Sequence, residues 1–219
     1  MGYGAMRRLR KAFILGVCVT WGFAATAEQI VIAALGDSLT QGYGLPEQDG
    51  FVPQMQRWLQ EQGADIRLIN AGVSGDTTAG GAARVDWTLT PEVDGMIVAL
   101  GGNDVLRGID PDVSRDNLET IAQAAAASNV ELLLVGMQAP GNYGADYKQR
   151  FDAIYPDLAE RYGTLYAESF FEGLTDQDDL AEASQFMQGD GIHPNAVGVS
   201  RIVENLGPYV LRLAEQAKQ

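Results

Sequence analysis

Five short apolar runs, separated by stretches of helical periodicity, set the terms on which this chain can fold. Residues 29–35, 65–70, 96–100, 130–137 and 164–167 each read as a strand, 29–35 as a buried one. Helices are expected over 52–62, with Val52, Met55 and Leu59 on one face, and around 82–89. Further helices are expected over 111–128, with Pro111 in its first turn, over 147–162 with a kink at Pro156, and over 196–217. Strand–helix alternation therefore predicts a parallel sheet between two helical layers, an α/β/α sandwich of five strands. Such sheets bind ligands beyond the carboxyl ends of their strands. The segments leaving the first three strands, 36–44, 71–81 and 101–108, are all rich in glycine and small polar residues. A site is expected there.

The chain's 219 residues fit one domain, but the first 27 are different in kind. Arg7, Arg8, Arg10 and Lys11 precede an apolar stretch from Ala12 that closes on Ala25-Thr26-Ala27. That is the plan of a secretory signal peptide, and the apolar part is shorter than the roughly 20 residues of a membrane span. Residues 1–27 are thus expected to be removed, leaving a single domain over 28–219, periplasmic or secreted and without a stable membrane anchor. Cys18, the chain's one cysteine, follows Val17 where a lipidated signal peptide would carry a small residue, so lipidation is not expected. Cleavage removes it, and with it any disulfide or thiolate chemistry. The remaining 11 basic and 29 acidic residues carry a formal charge of −18, which argues against nucleic acid and anionic membrane surfaces as partners.

Chemistry is concentrated in four segments. Gly36-Asp37-Ser38-Leu39 puts a serine at a strand-to-helix turn, where Oγ is exposed and the serine's own N–H is free to face an oxyanion. The plain alternative is a helix N-cap, and the segment does not match the Gly-x-Ser-x-Gly elbow. Asn70 to Thr78 offers glycine amides that can approach a ligand, or simply a tight turn. Gly101-Gly102-Asn103-Asp104 offers a side-chain N–H donor, or an Asx turn. Asp190-Gly191-Ile192-His193 holds the single histidine, with a carboxylate three residues earlier that can fix its tautomer. Each signal is weak alone. Their common placement at one sheet edge gives them weight.

Together these segments resemble the four sequence blocks of the GDSL, or SGNH, hydrolase family. Gly-Asp-Ser-Leu-Thr-Gln-Gly-Tyr-Gly, Ser-Gly-Asp-Thr-Thr, Gly-Gly-Asn-Asp-Val-Leu-Arg-Gly, Pro-Gly-Asn-Tyr-Gly and Asp-Gly-Ile-His-Pro-Asn are similar to those of its bacterial thioesterase, lysophospholipase and arylesterase group. The resemblance implies the flavodoxin-like fold of that family, with Ser38 as nucleophile and His193 as general base oriented by Asp190. It implies an oxyanion hole built from the amides of Ser38 and Gly72 and the side chain of Asn103. It further implies a monomer that hydrolyses small acyl esters and thioesters, with no cofactor and no metal. Segments 138–141 and 175–183 depart from the pattern and are expected to shape the acyl pocket; 74–81 is a candidate lid. Three rivals remain: a carbohydrate deacetylase on the same fold, a metal phosphoesterase using Asp37, Asp76, Asp104 and Asp190, and a non-catalytic binding domain.

Overall fold

A computed structural model describes residue 1, residues 29–174 and residues 183–218. Segments 2–28 and 175–182 lie outside the described residues. With them lie the expected signal peptide and most of the pocket-shaping segment 175–183.

Five parallel strands form one sheet: β1 (Ile30–Gly36), β2 (Ile66–Gly72), β3 (Gly95–Ala99), β4 (Glu131–Val135) and β5 (Leu165–Ala167), in the order β2-β1-β3-β4-β5. The central strands β1 and β3 are buried along their whole length, while the edge strands are partly exposed. This is the burial expected of a parallel sheet covered on both faces. From β1 the chain goes to one side for β2, then crosses to β3 on the other. The strand order therefore reverses between the carboxyl ends of β1 and β3, which opens the crevice where such sheets hold ligands.

The helices are α1 (Ser38–Gln41), α2 (Phe51–Glu61), α3 (Thr78–Thr88), α4 (Gly102–Leu106), α5 (Pro111–Ala127), α6 (Ala145–Asp152), α7 (Ile154–Tyr162) and α8 (Ala196–Gln216). One layer pairs α2 with α8, so closely that a Cβ on Gly207 would lie 2.5 Å from the Trp58 ring. The other layer gathers α3, α6 and α7 around α5, and the sheet lies between. No helix among the described residues is long and apolar enough to cross a membrane.

Differences from the sequence expectation are local and have causes. The helix expected over 147–162 is two helices that meet at Ala153. Pro156 has no N–H for the Asp152 carbonyl and its ring crowds that carbonyl, so the break falls four residues before the proline. Helix α3 begins at Thr78, not near Ala82. Thr77 caps it by accepting from Gly80 N, and the buried Asp104 carboxylate accepts from Thr78 N at 2.9 Å. Four residues of the candidate lid, 78–81, therefore belong to a helix, with Thr78 and Gly81 buried.

Candidate active site

Everything proposed for the nucleophile turn follows from how β1 ends. Asp37 caps α1, its Oδ1 accepting from Leu39 N at 3.0 Å, so Ser38 becomes the first helical residue. Its N–H is one of the orphan donors of a helix start and has no acceptor among the described residues. Thus the cap reading and the functional reading are compatible: Asp37 does the capping, and Ser38 is held out by it. The other Asp37 oxygen accepts from Asn103 Nδ2 at 3.1 Å. That bond fixes the Asn103 amide with its second N–H still to give. Burial pushes the Asp37 carboxyl up from 3.8 to about 6, against the opposing effect of the Leu39 and Asn103 hydrogen bonds.

Residues 155 positions apart then meet. Ser38 Oγ lies 2.8 Å from His193 Nε2, and His193 Nδ1 lies 2.7 Å from Asp190 Oδ2. A carboxylate can only accept, so Nδ1 carries the proton and Nε2 accepts from the serine hydroxyl. Asp190 Oδ1 accepts from the amides of Ile192 at 2.9 Å and His193 at 3.0 Å. The His193 amide, then the ring and the Ile192 amide, hold this carboxyl well below the usual range, so it stays ionised. The Tyr43 ring packs against the imidazole with centroids 4.7 Å apart. Gln188 Nε2 donates to the carbonyls of both Tyr43 and Pro194, at 2.9 and 3.0 Å, pinning the serine turn to the histidine loop. Asn195 caps α8 and also donates to the carbonyls of Gln185 and Met187, so the same loop is anchored to a long helix.

Gly72 does not reach this site. Its N–H donates to Asn70 Oδ1 at 3.0 Å, and it is not among the residues lining the cleft. Gly72 is needed for close approach instead, because a Cβ there would run into the backbone of Gln41 in α1. Gly75, three residues on, does line the cleft, and its N–H has no acceptor among the described residues. Its φ of +84° is a conformation that glycine adopts without strain. The amide donor expected from the loop after β2 is therefore better placed at Gly75 than at Gly72. Arg84 fixes the base of that loop, donating to Asp76 at 2.7 Å and to the carbonyls of Ala71 and Gly36.

Beside Ser38 and His193 opens a cleft of about 900 Å³ whose walls include Leu39, Val105, Leu106, Met137, Phe171 and Ile192. The four carboxylates of the metal reading do not converge there. Asp76 pairs with Arg84, Asp104 is enclosed by Thr78 and Ser114, Asp190 faces His193, and Asp37 holds Asn103. Among the described residues no cluster of three His, Cys, Asp or Glu side chains could hold a metal ion. Sequence reasoning missed Tyr43, Gln188 and Gly75. Tyr43 and Gly75 lie inside motifs it had noticed, but neither ring stacking nor a free N–H leaves a periodic signal.

Residues 34–201 match the GDSL-like Lipase/Acylhydrolase family. The chain is 38% identical over 185 residues to esterase TesA of Pseudomonas aeruginosa, covering 84% of this chain and 88% of that protein. It is 35% identical over 196 residues to the thioesterase 1/protease 1/lysophospholipase L1 of Escherichia coli, covering 89% and 88%. Among solved structures it resembles the psychrotrophic esterase EstA from Pseudoalteromonas sp. inhibited by monoethylphosphonate, with a TM-score of 0.75 and 30% identity over 83% of this chain and 97% of that one.

Proposed function

The chain belongs to the GDSL-like lipase/acylhydrolase family, and within it we propose a serine esterase that hydrolyses small carboxylic esters and thioesters through an acyl-serine intermediate. The observation that carries this reading is the relay of Ser38 Oγ, His193 and Asp190, joined by contacts of 2.8 and 2.7 Å at the mouth of an apolar cleft. His193 Nε2 takes the hydroxyl proton as Ser38 Oγ attacks the substrate carbonyl, while Asp190 keeps the ring in the required tautomer and stabilises the imidazolium. The carbonyl oxygen becomes an oxyanion, held by the amides of Ser38 and Gly75 and the second N–H of Asn103. The imidazolium then protonates the departing alcohol or thiol. Water, deprotonated by the same imidazole, releases the acyl group and restores Ser38. No step calls on a cofactor, and activity is expected to survive dialysis against a chelator.

Apolar walls favour an acyl chain over an acetylated sugar, and relatives are named esterase, thioesterase and arylesterase. The deacetylase reading is not favoured. The basic-then-apolar leader supports export to the periplasm or beyond, with cleavage after Ala27. The test is a series of p-nitrophenyl esters and acyl-CoA thioesters of increasing chain length, run beside acetylated sugars. Turnover that rises beyond acetyl supports the reading; turnover confined to acetyl groups overturns it.

A further inference from the structure

Two of the three proposed oxyanion donors sit on loops that no strand pairing joins. Gly75 follows β2 and Asn103 follows β3, and β1 separates those strands in the sheet. Asp104 holds the start of α3 across that gap, and Arg107 reaches Gly75 itself. The backbone N–H of Arg107 donates to the Asn103 carbonyl at 3.1 Å, and its Nη2 donates to the Gly75 carbonyl at 2.7 Å. The peptide that joins Gly75 to Asp76 is thereby held on both edges, its oxygen by Arg107 and its N–H by the Val73 carbonyl at 3.0 Å. That peptide adjoins the Cα of Gly75, so holding it restrains the loop that presents the Gly75 N–H. Among the described residues no carboxylate forms an ion pair with Arg107.

We infer that Arg107 is a positioning residue of the oxyanion hole, tying the Gly75 loop to the Asn103 loop so that their donors converge on one oxygen. This rests on the reading of Ser38 as nucleophile and of the Gly75 amide as a donor. A glycine-rich loop has little side-chain packing to hold it, and a donor displaced by a fraction of an ångström stabilises charge less well. Arg107 is exposed and lies outside the core, so replacing it leaves the fold intact.

The experiment compares wild type, Arg107→Met and Arg107→Lys, with a neutral substrate (p-nitrophenyl butyrate) and an anionic one (butyryl-CoA). It also measures inhibition by a trifluoromethyl ketone, which becomes a tetrahedral oxyanion on the serine. Removing a whole oxyanion donor costs about 10²–10³-fold in kcat, so loosening one is expected to lower kcat about tenfold in Arg107→Met. KM and melting temperature should stay near wild type, inhibitor binding should weaken in proportion to kcat, and Arg107→Lys should recover part of both. An unchanged kcat overturns the inference, as does a lowered kcat with undiminished ketone binding. A loss confined to butyryl-CoA overturns it as well, by assigning Arg107 to the leaving group. None of these results touches the nucleophile reading, which fails only if Ser38→Ala still turns over.

Discussion

At the scale of single residues, the proposed catalysis turns on what holds a few polar atoms in place. Ser38→Ala removes the only group proposed to bond with the acyl carbon, so turnover should fall on the order of 10⁴-fold while circular dichroism stays unchanged. Near-normal hydrolysis would refute the nucleophile. Asp37 makes a different kind of prediction, because a buried carboxyl raised from 3.8 to about 6 links folding to pH. The folded state binds that proton more tightly than the unfolded chain. The resulting stabilisation is full below pH 3.8, falls as pH rises to about 6, and is gone above it. Two pH units correspond to about 3 kcal/mol. Asp37→Asn cannot ionise, so urea unfolding should show the variant gaining on wild type by that order between pH 4 and pH 7, while its activity falls because Asn103 has lost a charged partner. A wild-type minus variant difference that is flat with pH would contradict the assignment.

Elements of structure carry the site as much as its side chains do. Asn195 caps α8 by accepting from the amides of Val197 and Gly198, and its own amide group holds Gln185 and Met187. Asn195→Ala should cost about 1–2 kcal/mol for the cap alone and should lower kcat, because the loop it anchors carries His193. Calorimetry and kinetics check both; a loss of stability with unchanged kcat would separate the loop from the helix. The long elements were legible because their periodicity runs over many residues: the five strands and the helices α2, α5 and α8 fall close to their expected bounds. Helices α1 and α4 were not. Four or five residues are too few for a 3.6-residue period, and these helices owe their form to Asp37 and to the turn at Gly101, whose φ is +116°. The start of α3 was hidden for a related reason. Gly80 and Gly81 weaken helix propensity, and what offsets them is Asp104, a residue from another loop. The segments that bring Ser38, His193 and Asp190 together, and Asn103 to Asp37, were legible because residue type and block order mark them. The preference for Gly75 over Gly72 as the proposed donor was not, because it depends on where an N–H points.

Over the whole molecule, strand order is what converts distant segments into one site. The reversal between β1 and β3 brings the serine turn and the Asn103 loop side by side, and the loop that caps the start of α8 carries His193 to Ser38. The chain's one cysteine, Cys18, lies within residues 1–27, the proposed signal peptide. The exported protein should therefore begin at Glu28 by mass spectrometry, contain no thiol, and keep full activity under alkylating reagents. A full-length product retained in the membrane fraction would contradict cleavage. The central claim, that this chain is an enzyme working through one activated serine, is open to a single measurement: reaction with a fluorophosphonate followed by peptide mass mapping. One adduct is expected, on Ser38, formed in step with loss of esterase activity and absent from His193→Ala. An adduct on another residue, or activity lost without any label on Ser38, would contradict it.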